Sequence, residues 1–326
     1  MNPGVSVILP ICHGGRFLRT ALSTLGEAVS PSEGFEILVV GDPLHLAGLQ
    51  DAVSSTVPLR FINHTGNRAS ALNAACAAAR GEIWAFADDD CIIPRDWLLQ
   101  IEHAMAQHPG AAGIGGTDLL PQKSGLFDRS LDLTLNSFAA TGGIRNATSV
   151  SAGRYYPKLW NMAVRARAGH LAANGNHVFN PLLNVHEDVE LADRIMKGGG
   201  IILRTPEIAV GHYRDTNFRS FLFRNFHMGQ VCRSQGIHRQ VHTLAAGFFT
   251  ALIMAGLIAP FSVLAMWVFC VLSGCYTCML VISGFSAAWS SRHILLVFTV
   301  PALIVSLHVS RIIGYCNTIS STRSSR

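Results

Sequence analysis

Charge is what this chain has least of: only 14% of its 326 residues are Asp, Glu, Lys or Arg, and Thr243 to Phe285 contains none of them and no histidine. A buried helix pair in a soluble protein accounts poorly for so long an uncharged run. A bilayer core takes roughly 20 apolar residues per helix, so the run predicts a tight helical hairpin, turning near Pro260 or near Ser273-Gly274. Ile294 to Leu307 is uncharged as well, and extended through His308 to Ile313 it predicts a third span that carries His308 and Arg311. Met1 to Ile11 lacks a basic leader and a long apolar segment, which argues against a secretory signal and places the residues before 214 in the cytoplasm.

Other signatures are missing too. No G-x-x-x-x-G-K-[ST] occurs, because Lys123-Ser124 has no glycine before it, and no G-x-G-x-x-G follows a strand. Nothing therefore supports P-loop ATP hydrolysis or dinucleotide binding. Cys12, Cys76, Cys91 and Cys232 show no paired spacing, which fits a reducing compartment, and the C-x-x-C at Cys275 and Cys278 lies in an apolar run where both pack as small hydrophobes. The net charge of +5 is spread thinly. Five arginines between Arg214 and Arg239 alternate with aromatic residues beside the apolar run, a pattern that suits a membrane surface better than nucleic acid.

What is present before residue 214 is an alternation of strands and helices. Val5 to Pro10 reads as a strand, followed by Gly14-Gly15 and an apolar-periodic helix through Leu25; Phe35 to Val40 is a strand closed by Gly41-Asp42-Pro43, and Leu59 to Ile62 is a shorter one. Ala69 to Arg80 is an alanine-rich helix that hands over to a strand ending at Asp88. Trp97 to His108 reads as a helix and Ala111 to Gly116 as a strand. Leu119 to Tyr156, rich in Ser, Gly, Thr and Asn, is read as a substrate loop. Order resumes at Trp160 to Arg165, then a helix opens at Glu187-Asp188 and ends at Gly198-Gly199-Gly200. Ile201 to Leu203 and Ile208 to Val210 are two late strands, with His212 directly after; Asp215 can cap an amphipathic helix with Phe218, Phe221, Leu222 and Phe226 on one side. The alternation predicts a mostly parallel sheet with helices on both faces, and in such sheets ligands sit at the carboxyl ends of the strands.

The acidic residues cluster there. Asp88-Asp89-Asp90 close a buried strand, and three adjacent carboxylates repel one another unless a cation lies among them. Their oxygens suit Mg2+ or Mn2+ binding a diphosphate. A solvated acidic turn is the plain alternative. An extended backbone turns Asp88 and Asp90 to a common side and Asp89 away. Glu187-Asp188 forms a second acidic pair, equally consistent with helix capping, and His212 stands alone after a strand. Together the three elements fit displacement at a sugar carbon, with the metal neutralising a departing nucleoside diphosphate and a separate carboxylate deprotonating the attacking hydroxyl.

With these residues the chain resembles the family 2 inverting glycosyltransferases over about residues 4 to 230. The resemblance is carried by Val5 to Pro10, Glu36 to Asp42, Asn67 to Asn73, Asp88 to Asp90 with Pro94 and Asp96-Trp97-Leu98, Asn161 to Arg165, and His186 to Arg194. It implies a GT-A fold, α/β and Rossmann-like, followed by transmembrane helices. Residues 1–117 would be the nucleotide-sugar half and 118–213 the acceptor half, with 214–241 a basic amphipathic surface segment, 242–316 about three spans and 317–326 a polar tail. By this resemblance Asp188 is the general base; Pro10, Asp42, Arg68, Asn73, Asp88 and Asp89 bind the donor, taken to be a UDP-sugar. Asp88, Asp90 and His212 hold Mg2+ or Mn2+, and Asn161 and Glu187 lie on the acceptor side. The family often carries an acid where this chain has Gly41, and processive members carry Gln-x-x-Arg-Trp where it has Gln230-Val231-Cys232-Arg233-Ser234. The resemblance is thus to enzymes of exopolysaccharide assembly that add one sugar to a polyprenyl-linked or glycan acceptor at the inner membrane, with a cytoplasmic catalytic domain and no nucleic acid. A non-catalytic membrane module that binds nucleotide sugar and a metal-dependent nucleotidyltransferase are the alternatives.

Overall fold

The computed structural model describes residues 3–11, 17–46, 49, 57–121, 124–141, 155–183, 185–213, 216–235 and 239–317, and all counts below refer to these. Asp215 lies outside them, as do residues 142–154 of the expected substrate loop. The chain forms two compact units, residues 1–123 with 148–215 and residues 124–147 with 216–326.

In the first unit β1 (Val5–Pro10), β2 (Phe35–Gly41), β3 (Leu59–Asn63) and β4 (Ile83–Phe86) run parallel, linked by α1 (Leu18–Gly26), α2 (Pro43–Leu46) and α3 (Arg68–Ala78). A two-residue β5 (Cys91–Ile92) precedes α4 (Trp97–Gln107) and β6 (Ala111–Leu119). After the excursion into the second unit, the chain returns as β7 (Met162–Arg165), α7 (Ala166–Leu171), α8 (Glu187–Lys197) and β8 (Ile201–His212). The eight strands lie in the order β3-β2-β1-β4-β7-β6-β8-β5. β7 enters between β4 and β6 antiparallel to both, so the sheet is mixed.

The period-2 alternation of the strands divides two cores. Val5, Val7 and Leu9 of β1 join Ile37 and Val39 under α1 and α4, while Ile8, Leu38 and Val40 face the opposite way with Trp84 and Phe86 against α3 and α8. Glu36 is buried near the start of β2 and accepts hydrogen bonds from Ser6 Oγ (2.8 Å), the Arg80 amide (2.8 Å) and Arg60 (2.9 Å). These three donors outweigh the burial that would raise its pKa and hold the carboxyl below the ordinary 4.5. β8 is one twelve-residue strand where the sequence suggests two, with its register against β6 shifting between Gly115 and Thr117. Pro206 lies opposite that shift and has no N–H for the ladder, so the pairing skips it.

The second unit begins in the region read as a loop, which instead contains α5 (Leu126–Asn136) and α6 (Phe138–Thr141). Polar residues hid α5 in the sequence, yet Leu131, Ser130 and Thr134 share its buried side. It continues as α9 (Phe218–Gln235), α10 (Arg239–Ile258), α11 (Val263–Ser291) and α12 (Leu296–Cys316). The hairpin turn falls at Pro260, inside a short 3-10 turn, and Ser262 Oγ caps α11. Three segments, Thr243–Phe261, Val263–Ser291 and Leu296–Cys316, are long and apolar enough to cross a membrane, with mean hydropathy of 2.0, 2.0 and 1.9. α9 is bound tightly to α12: Gly229 lies against the Arg311 carbonyl and Gly314 against that of Phe226, Arg311 Nε donates to Asn225 Oδ1 at 2.8 Å, and Phe221 is buried. His308 is engaged at both ring nitrogens, by the Tyr276 hydroxyl and the Ala139 carbonyl, each at 3.0 Å. Pro301 stands inside α12, and a Cβ on Gly284 of α11 would lie 2.6 Å from the Val297 carbonyl oxygen.

Candidate functional site

The carboxyl ends of β1, β2 and β4 bring Pro10, Asp42 and Asp88 to one edge of the sheet. Asp42 Oδ1 accepts from the Leu44 amide at 2.9 Å and so starts α2. Gly41 cannot carry the acid that the family often has there, because a Cβ would fall 2.9 Å from that of Ile11. Asp88, Asp89 and Asp90 are 4%, 1% and 5% exposed, so the run is no solvated turn. Two backbone hydrogen bonds fix it: the Cys91 amide donates to Asp88 O (3.2 Å) and the Tyr213 amide to Asp90 O (3.0 Å).

Arg68, the first residue of α3, joins the two acidic clusters. It donates to Asp88 Oδ1 at 2.5 Å through one terminal nitrogen, and its Nε lies 3.1 Å from Glu187 Oε1 at the start of α8. α3 begins there because Asn67 caps it, accepting from the Ser70 amide at 2.9 Å and donating to Pro181 O at 2.7 Å. Burial raises the Asp88 pKa, a rise that Asp90 adds to and Arg68 and His212 oppose. Burial also pushes Glu187 up to about 7, with Arg68 pulling down and Asp188 and Asp88 pushing up. Asp188 accepts from the Leu159 amide (3.3 Å) and the Val189 amide (2.7 Å) at the N-terminus of α8, where the helix dipole favours a carboxylate. His186 just before it holds a left-handed φ of 64°.

The third group forms where β5 meets β8. Cys91 and His212 are direct cross-strand partners, which puts both side chains on one face. His212 Nε2 lies 3.2 Å from Asp90 Oδ1, and Trp160 stacks on the imidazole with ring centroids 4.5 Å apart. Ligand atoms of Asp90, Cys91 and His212 all lie within 4.8 Å of one another. Oxygen, nitrogen and sulfur donors at that spacing fit a divalent transition ion. Asp88, expected beside Asp90 at the metal, directs Oδ1 to Arg68 instead.

Two expected site residues bond to the surrounding protein. Asn73 exchanges both ends of its amide with Phe179, at 2.7 and 2.8 Å. Asn161 accepts from Trp97 Nε1 (3.0 Å) and donates to Thr117 O and Ile208 O (2.9 Å each). Sequence reasoning missed Cys91 and Trp160, although the first directly follows the acidic run, and it missed the second arm of Arg68.

This layout, a mixed sheet with helices on both faces and acidic residues at the carboxyl ends of parallel strands and at the start of a later helix, is a GT-A-like fold. Residues 6–156 match the model described as Glycosyl transferase family 2. Among solved structures it is similar to the mannosyltransferase PcManGT from Pyrobaculum calidifontis, determined with GDP-Man and Mn2+, at 16% identity over 96% of this chain and 88% of that one with a TM-score of 0.57. It also matches S. aureus TarS 1-349 with UDP-GlcNAc at 13% identity, over 95% and 90% of the two chains, with a TM-score of 0.48. No curated protein matches the sequence.

Proposed function

We propose that the chain is an inverting glycosyltransferase that moves a single hexosyl unit from a nucleotide sugar, a UDP-sugar in this reading, to a polyprenyl-linked or glycan-precursor acceptor. The observation that carries this reading is Arg68, held by Asp88 on one side and Glu187 on the other, which brings the donor edge and the start of α8 into one charged site. Residues 1–117 form the donor half and 118–213 the acceptor half, of which 124–147 fall in the second compact unit; the basic helix α9 lies in the membrane surface segment (214–241), and the apolar helices hold the enzyme in the plasma membrane with its site on the cytoplasmic side.

Asp42 contacts the nucleobase, Pro10, Arg68 and Asp89 line the donor, and Asp88 faces the diphosphate. Asp90 and His212 would hold Mn2+ or Mg2+, which when bound supplies positive charge for the leaving nucleoside diphosphate. Asp188 takes the proton of the acceptor hydroxyl as its oxygen bonds to the anomeric carbon and the bond to the diphosphate breaks, with inversion. Trp160 keeps water from one face of His212. Asn161 and Glu187 shape the acceptor side, Asn161 by fixing the Trp97 indole. Asn73 holds the Phe179 backbone and so supports the donor site from behind.

The test is a panel of radiolabelled nucleotide sugars given to purified enzyme with a polyprenyl-phosphate sugar acceptor. Transfer of one sugar with release of the nucleoside diphosphate is expected. Release of pyrophosphate, or donor binding with no product from any member of the panel, would overturn the reading.

A further inference from the structure

Mg2+ prefers an octahedron of oxygens and keeps several waters, whereas sulfur and imidazole ligands select softer ions. The cluster at the β5–β8 pairing has one oxygen donor, Asp90, one nitrogen donor, His212, and one sulfur donor, Cys91. Zinc is commonly held by sulfur, imidazole and carboxylate donors of this kind. The ligands are also pre-positioned. Cys91 and His212 are registered on the two strands, the Tyr213 amide holds Asp90 O at 3.0 Å, and Trp160 fixes the imidazole plane.

Cys91 belongs to the apolar core with Ala87, Ile93 and Trp97, and its sulfur also lies within 4.8 Å of ligand atoms of Asp90 and His212. Cys91 is 1% exposed beside the acidic run, and its thiol has the Trp160 carbonyl at 3.9 Å as a weak acceptor. A cation seated between Asp90 and His212 changes the field that Cys91 experiences, because a thiol that coordinates a metal gives up its proton.

We propose that Asp90, Cys91 and His212 form a site for a thiophilic divalent cation, Zn2+ or Cd2+, with the Cys91 sulfur as third ligand. As the metal–sulfur bond forms, the S–H proton passes to solvent and the ion's charge is balanced by thiolate and carboxylate. The inference rests on the reading of Asp90 and His212 as metal ligands and adds the sulfur. It makes the chain selective among metals: Zn2+ and Cd2+ displace Mn2+, and Mg2+ is the weakest of the four.

The experiment uses the full chain in detergent with Cys275→Ser and Cys278→Ser introduced to remove the exposed C-x-x-C. Cd2+ is titrated while the ultraviolet sulfur-to-metal charge-transfer absorbance is recorded, and Mn2+ binding is followed separately by loss of its free-ion paramagnetic resonance signal. A one-equivalent charge-transfer band is expected, lost in Cys91→Ser and in Cys91→Ala, with Zn2+ affinity falling at least about tenfold in both. A band of equal strength in the Cys91 variants would overturn the proposal. So would Mn2+ binding without any Cd2+ band, which leaves Asp90 and His212 as ligands of a harder ion. Binding of neither ion would remove the metal reading itself.

Discussion

The two units place their charge in opposite ways. In the first, Asp88, Asp90, Glu187 and Asp188 are each less than a tenth exposed, so the strongest charges of the chain are inside. In the second, Phe261, Leu264 and Trp289 are 88%, 75% and 90% exposed, and the buried Ser130 and Asn225 are neutral and hydrogen-bonded. A buried carboxylate costs several kcal/mol unless a partner or a ligand compensates it, so its retention marks a function. An exposed apolar helix face costs nothing in a solvent as apolar as itself. The contrast therefore reports the two surroundings for which the chain is built.

The largest effect that tests this contrast is on turnover. Asp188→Asn should leave donor binding intact and lower the rate of transfer by about 10²- to 10⁴-fold, as loss of a general base does, measured as product formed at saturating donor. Arg68→Met strands Asp88 and Glu187 without their shared cation and should cost about 3–5 kcal/mol, read by denaturant unfolding. If the loss were under 1 kcal/mol, the bridge would be a surface pair rather than the hinge of a buried site.

In the second unit, Gly314→Val drives a side chain into the Phe226 carbonyl and should cost about 1–3 kcal/mol in detergent without changing donor affinity. Glu36→Gln should cost about 1–3 kcal/mol at neutral pH, because it weakens three bonds to a buried carboxylate. Since the folded pKa of Glu36 lies below the ordinary 4.5, its contribution is complete above that value and disappears as the pH falls through the folded value. The gap between wild type and Glu36→Gln, followed by unfolding midpoints, should thus close in acid. Smallest of all, Trp289→Ala should change stability in detergent by no more than about 0.5 kcal/mol. A larger loss would mean that this exposed ring has a protein partner.

Much of this was legible in the sequence because it is local. The strand ends at Pro10 and Gly41, the helix from Glu187 to Lys197 and one of the two candidate turns, at Pro260, carry their own signals of periodicity and breakers, while the strand read as ending at Asp88 stops at Phe86. What was not legible depends on contacts distant in sequence. Nothing in Met162-Ala163-Val164-Arg165 says that this strand runs antiparallel between two others, since a short strand buried on both faces has no direction in its composition. The partners of Asn73, a backbone segment at Phe179, and of Asn161, two carbonyls and the Trp97 indole, are groups that only folding brings near. The same is true of Arg68, whose two carboxylates lie 20 and 119 residues further along the chain. The register that pairs Cys91 with His212 could not be read from either residue.

The proline in α12 and the glycine facing it in α11 bear on the history of the chain. Pro301 offers no N–H to the Val297 carbonyl four residues earlier, and Gly284 of the neighbouring helix leaves room beside that oxygen, which a Cβ would approach to 2.6 Å. Neither residue is replaceable alone in the same way. A side chain at 284 collides while 301 is proline, whereas a residue with an N–H at 301 satisfies the carbonyl and lets the helices separate. Descendants of this sequence should therefore lose Pro301 before Gly284, and the two positions should covary.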